Sequence, residues 1–317
     1  MTRIEKAIYK IFFSCFKLTP KDSCLIVVDE ITRPLGQLLF NRVNKSRSQS
    51  ALLEVKARSF RSGEPGPAIL NIMKQMTAVL TFTSYPLIHS KALKQLCHVG
   101  ARVLCLHPIS EEGLARAVNT DYEFIDKKSR KLSDLFSIGR RIHLTTAAGT
   151  DVVIPISRHN GDANTGIASS PGTMCCLPSG EANIIPNRRE TQGVVVVDGS
   201  IPAIGLLERP VVIHIRDGYA YQITGGPEIE PLRKMLKIFG KSARNIAEFG
   251  LGTNPDAILT GNSIEDEKVL GTAHIALGSP DYEGGIRKKY LHLDLVLQKP
   301  TVSIDNRVIV EKGKILV

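Results

Sequence analysis

Near the C-terminus, His292 and Asp294 stand two residues apart in "YLHLDLVL", an apolar run that alternates as a strand does. In a strand, residues i and i+2 project from the same face, so an imidazole and a carboxylate lie side by side there. Such a pair is either a hydrogen-bonded couple or two ligands of one metal ion. Upstream, "GTAHIALG" sets His274 among small and apolar residues, and the connecting "GSPDYEGGIRKKY" has the glycines and proline needed to fold the chain back. His274, His292 and Asp294 then make two imidazoles and one carboxylate, the composition of a facial triad that holds non-haem iron.

Two glutamates occupy equally apolar settings, Glu181 in "CCLPSGEANIIP" and Glu248 in "NIAEFGLGTNP". A buried carboxylate without a partner is costly, so each calls for a cation or strong donors, the plainer alternative being a turn or cap role. Two glutamates, two histidines and an aspartate suffice for two divalent ions, which would polarise a carbonyl and activate water for hydrolysis. In that chemistry a carboxylate beside the water, Glu181 or Glu248, serves as general base. His143 in "RIHLTT" and His214 in "VVIHIRDG" alternate with apolar residues and are assigned to the sheet. Cys175 and Cys176 lack the histidine or asparagine signature of a thiol nucleophile, and "GTNP" reads as a turn from which Asn254 could reach a ligand.

The elements that must position these residues fall into two blocks. From residue 23, the runs "CLIVVDE", "ALLEVKA", "AVLTFTS" and "ARVLCLH" read as strands, separated by "PLGQLLFNRVNK", "PAILNIMKQM" and "HSKALKQLCHVG" with helical spacing. That alternation predicts an α/β fold with a Rossmann-like wound sheet, although no GxGxxG follows the first strand to support nucleotide binding. A helical stretch over 110–139 leads to a hairpin around "AAGT", after which strands and glycine turns dominate, with one clear helix over 228–240. The composition shift predicts an N-terminal α/β domain over 1–139 and an α+β metal-binding domain over 140–317.

The first residues suggest an amphipathic helix, its apolar run Ile11 to Phe16 being too short to span a bilayer. With no export signal, the six cysteines are expected to be reduced and the protein cytoplasmic, without a membrane partner. The net charge of +10 permits attraction to acidic partners. Its lysines and arginines are scattered and no recognition motif accompanies them, so nucleic acid is not expected as a partner.

Taken in order, "LPSGEANIIP", "IAEFGLGTNP", "GTAHIALG" and "HLDLVL" resemble the metal-site blocks of the aminopeptidase S / aminopeptidase T family of leucyl aminopeptidases. "TSYPLIHSKALKQLCHVGARVLCL" resembles the same superfamily, whose divergent branch includes 2,5-dihydroxypyridine dioxygenase. The resemblance implies two divalent ions, zinc, cobalt or manganese, on Glu181, Glu248, His274, His292 and Asp294, with Tyr282 nearest to the family's tyrosine ligand. It also implies a homodimer acting on a short peptide or other small molecule. The dioxygenase branch implies instead one Fe(II) on His274, His292 and Asp294. The sequence thus leads to a metal-dependent, aminopeptidase-like hydrolase, with an Fe(II) ring-cleaving dioxygenase as the alternative.

Overall fold

The structure, a computed structural model, describes the chain apart from residues 47, 58–63, 86, 89, 188 and 281–290. Its two compact units are Met1–Tyr122 with Asn164–Ser179, and Glu123–Ala163 with Gly180–Val317. They divide elsewhere than the composition shift near residue 140. The apolar "MCCL" run at Met174–Leu177 pairs in parallel with Arg102–Leu106 in the first unit, while Leu132 and Phe136 of the long helix belong to the core of the second.

The first unit is a parallel sheet of five strands, in the order Gln49–Val55, Ser23–Asp29, Ala78–Phe82, Arg102–Leu106, Met174–Leu177. Cys24, Ile26 and Val28 enter one core cluster, and Leu25 and Val27 another. A strand apolar on both faces is what a parallel sheet covered on both sides requires. Helices Arg33–Val43, Pro67–Met73 and Lys91–His98 make the crossovers, the last capped by Ser90 Oγ accepting from Leu93 N–H at 3.2 Å. The expected first helix, Arg3–Lys10, opens with a reciprocal Thr2–Glu5 capping box and buries Ala7 and Ile8. No described helix is long and apolar enough to cross a membrane.

The second unit has an eight-stranded sheet containing the expected hairpin, Arg141–Thr145 with Asp151–Pro155, and a five-stranded sheet. The smaller sheet runs in the order His292–Leu297, Ala273–Gly278, Ile246–Gly252, Glu181–Ile184, Asp162–Asn164. Ile142, Leu144, Val152 and Ile154 of the larger sheet share a core with Ile184, Phe249, Leu251, Ile275 and Leu295 of the smaller. The predicted helix spans Glu230–Phe239 and stops at Gly240, whose φ of 75° suits glycine. "SARNIAEFG" resolves into a short 3-10 turn, Lys241–Arg244, followed at once by a strand. The α/β class, with a wound parallel sheet followed by an α+β unit, is the one read from the sequence.

Candidate metal centre

Strand parity builds the site. Ala182, Ile184, Phe249, Leu251, Ile275, Leu293 and Leu295 point into the core, so the residues between them point away from it. Glu181, Glu248, His274, His292 and Asp294 therefore share one face of the five-stranded sheet. Register then brings them together: Gly250 lies opposite both Asn183 and His274, and Ala276 opposite both Glu248 and Asp294. Gly250 matters for space, because a Cβ built on it would collide with the His274 ring and come within 3.2 Å of Glu181 Oε1.

The ligand atoms form two overlapping groups that share Glu248. Glu181, Glu248 and His274 each offer one within 4.8 Å of the others, as do Glu248, His292 and Asp294. His274 Nε2 is 2.8 Å from Glu181 Oε1 and 3.5 Å from Glu248 Oε1. Nε2 of this fully buried histidine is therefore paired with Glu181, while its Nδ1 has no hydrogen-bond partner among the described residues. An orphaned imidazole nitrogen among converging carboxylates fits a centre shaped for an ion or ligand rather than a self-satisfied core. His292 Nε2 lies 3.1 Å from Asp294 Oδ1, and its Nδ1 lies 3.1 Å from the Ser279 carbonyl. A proton on Nδ1, donated to that carbonyl, would fix the ring's orientation and turn Nε2 toward Asp294, where both can face one ion.

Electrostatics separate the carboxylates. Burial pushes Glu248 up to about 7, against the opposing pull of His274. Burial also acts to raise Asp294, but the His292 beside it outweighs this and holds the carboxyl well below the usual range. Glu181 is likewise held well below that range, because Lys268 and His274 together outweigh burial. Burial alone would lower His274, but the Glu181 carboxylate raises it well above an ordinary imidazole.

Glu267 and Lys268 are functional candidates that sequence reasoning missed. Asn254 N–H donates to the Lys268 carbonyl at 2.8 Å, Leu270 N–H to the Asn254 carbonyl at 3.0 Å, and Gly252 N–H to the Thr272 carbonyl at 3.0 Å. These bonds hold the connection to the His274 strand so that Lys268 Nζ meets Glu181 Oε2 and, at 2.6 Å, Glu267 Oε1. Within "SIEDEKVLG" nothing but the apolar residues on either side distinguishes this pair from a solvated charge run.

The remaining candidates lie elsewhere. Tyr282 falls outside the described residues. His143 pairs with Asp151 at 2.8 Å in an exposed setting, and the His214 ring packs beside Tyr221 with centroids 6.0 Å apart. Cys175 Sγ donates to the Ile167 carbonyl at 3.3 Å. Asn254 Oδ1 accepts from Asp256 and Ala257 N–H at 3.0 and 3.2 Å, which is the work of a turn.

Comparison with known proteins gives these groups a context. Residues 35–317 match the model of the family NicX, 2,5-dihydroxypyridine 5,6-dioxygenase. A Pseudomonas putida KT2440 protein of the same name is 28% identical over 254 residues, covering 75% of this chain and 71% of its own. The solved 2,5-dihydroxypyridine dioxygenase from that organism superposes with a TM-score of 0.83 at 20% identity, over 99% of this chain and 97% of that one. AmpT from Thermus thermophilus superposes with a TM-score of 0.70 at 15% identity, over 99% of both chains. Both likenesses are of fold.

These matches overturn the aminopeptidase-like hydrolase expected from the sequence. The family model and the Pseudomonas relative both carry dioxygenase names, so hydrolase, aminopeptidase and metalloprotease do not describe the chain. The physical reason is that the four sequence blocks describe carboxylates and imidazoles on a fold that both branches share. Nor do the matches support the pair of zinc, cobalt or manganese ions that accompanied the hydrolase.

Proposed function

The chain belongs to the 2,5-dihydroxypyridine 5,6-dioxygenase family, and on that premise we propose that it opens a dihydroxylated nitrogen heteroaromatic ring with dioxygen, using one ferrous ion held by Glu248, His292 and Asp294. The observation that carries this reading is the grouping of those three side chains, with ligand atoms within 4.8 Å of one another and His292 oriented by the Ser279 carbonyl. Ferrous iron, when bound, supplies the one-electron chemistry that lets dioxygen react with a closed-shell ring. The two carboxylates balance the ion's charge. Glu248 takes the place in the ligand set that the resemblance gives to His274, because it lies within reach of His292 and Asp294 while His274 Nε2 turns to Glu181.

His274 then has a different task. Glu181, 2.8 Å from Nε2, keeps a proton on its ring, and Nδ1 has no hydrogen-bond partner among the described residues. It is therefore a donor for an oxygen anion of the ring being opened. The substrate is 2,5-dihydroxypyridine or a close relative, the compound in the names of the family and of the Pseudomonas enzyme.

The test is to reconstitute the protein anaerobically with ferrous iron, add 2,5-dihydroxypyridine, and follow uptake of isotopically labelled dioxygen. One dioxygen consumed per ring, with both labelled atoms in a ring-opened product, is expected. No uptake by iron-loaded protein, or a product lacking either labelled atom, overturns the proposal.

A further inference from the structure

The two ligand groups share Glu248, and on their carboxylates and imidazoles alone each could take an ion. What distinguishes them is a lysine. Lys268 Nζ sits against Glu181 Oε2 and 2.6 Å from Glu267 Oε1, and only 7% of its side chain is exposed. The other oxygen of Glu181 faces His274 Nε2 at 2.8 Å. Both oxygens of Glu181 are therefore engaged within the chain. No comparable contact from a lysine or arginine reaches Glu248 or Asp294 among the described residues.

The lysine is also fixed in place. Its backbone N–H donates to the Glu265 carbonyl at 3.0 Å, and its carbonyl accepts from Asn254 N–H at 2.8 Å. A divalent ion placed between Glu181, Glu248 and His274 would share a carboxylate with this ammonium. Repulsion between like charges so close is strong where little water screens them.

We propose that Lys268 is the second cation of the site: it holds Glu181 out of the metal's ligand set and so limits the centre to one ion. Lys268 is by this account a positioning residue, touching neither substrate nor metal. The inference rests on the one-ion reading given under Proposed function, and the experiment separates the two.

The full-length wild type and the Lys268→Met and Glu181→Gln variants are titrated with manganese(II), and bound metal per chain is measured by elemental analysis. One ion is expected in the wild type. Lys268→Met is expected to take a second, with an affinity for it at least about tenfold above the wild type's. Glu181→Gln is expected to keep one ion, with its affinity within about threefold of the wild type's, since no ligand has been lost. A merely structural role for the lysine would not create a new binding event.

One ion in both wild type and a folded Lys268→Met, or none in that variant, overturns the role of the lysine while leaving the one-ion reading standing. Loss of the ion in Glu181→Gln does the same, and that variant decides alone should Lys268→Met fail to fold. Two ions in the wild type, or none, overturn the one-ion reading itself.

Discussion

Burial pushes the Glu248 carboxyl up to about 7, so near neutrality a metal must displace a proton to use it. Affinity should fall about tenfold for each pH unit below that value and level off above it. Manganese(II) titrations from about pH 5.5 to 8.5 would show this slope, and a flat profile would remove Glu248 from the ligand set. In the metal-free chain the same group acts on stability with a definite sign. Between its ordinary 4.5 and about 7, the unfolded carboxyl is ionised while the folded one keeps its proton. Its contribution to stability therefore declines as pH rises through that window. His292 gives a cleaner residue-level test, being only partly buried and away from the core. His292→Ala should reduce metal affinity by more than the roughly ten- to hundredfold typical of losing an outer partner, with little loss of thermal stability in the metal-free state. Metal affinity within about tenfold of wild type would mean that His292 is not a ligand.

At the scale of the element, the site depends on three antiparallel strands keeping register around Gly250. Its position opposite both Asn183 and His274 leaves no room for a side chain. Gly250→Ala should cost about 1–3 kcal/mol through overpacking, and it should also weaken metal binding by displacing the His274 ring, which lies 3.5 Å from Glu248 Oε1. Calorimetric unfolding together with a metal titration checks both, and a variant unchanged in both would show that the ring has slack. Parity of this kind was legible in the sequence, since "TAHIALG" and "HLDLVL" carry their chemistry at alternate positions in apolar strands. Lys268 was not legible, because its approach to Glu181 depends on backbone bonds between Gly252 or Asn254 and residues 268–272 that no local pattern specifies. The "MCCL" strand was missed for the same reason, its partner Arg102–Leu106 being far away in the chain. Nor could residue types choose between hydrolysis and ring opening, for both readings draw on the same glutamates, histidines and aspartate.

At the scale of the whole molecule, both candidate ligand groups lie in the second compact unit. An ion held by Glu248 and by His292 and Asp294 ties together two strands of one sheet, Ile246–Gly252 and His292–Leu297, separated by the His274 strand. It also neutralises carboxylates that repel one another when the metal is absent. Because the unfolded chain does not preserve this arrangement, binding is coupled to folding. Free metal at about a hundred times its dissociation constant should add about 2.7 kcal/mol. For a body of roughly 150–250 residues that corresponds to a rise of about 5–11 °C in the unfolding midpoint. Hydrogen exchange can locate the effect. Chelation should speed exchange in Ile246–Gly252, Ala273–Gly278 and His292–Leu297, while the buried parallel strand Ser23–Asp29, in the unit that holds neither ligand group, keeps its protection. Equal loss of protection in both units would point to a cooperative unit larger than either. Unchanged protection in the three metal-face strands would mean that the cluster needs no ion to hold its shape.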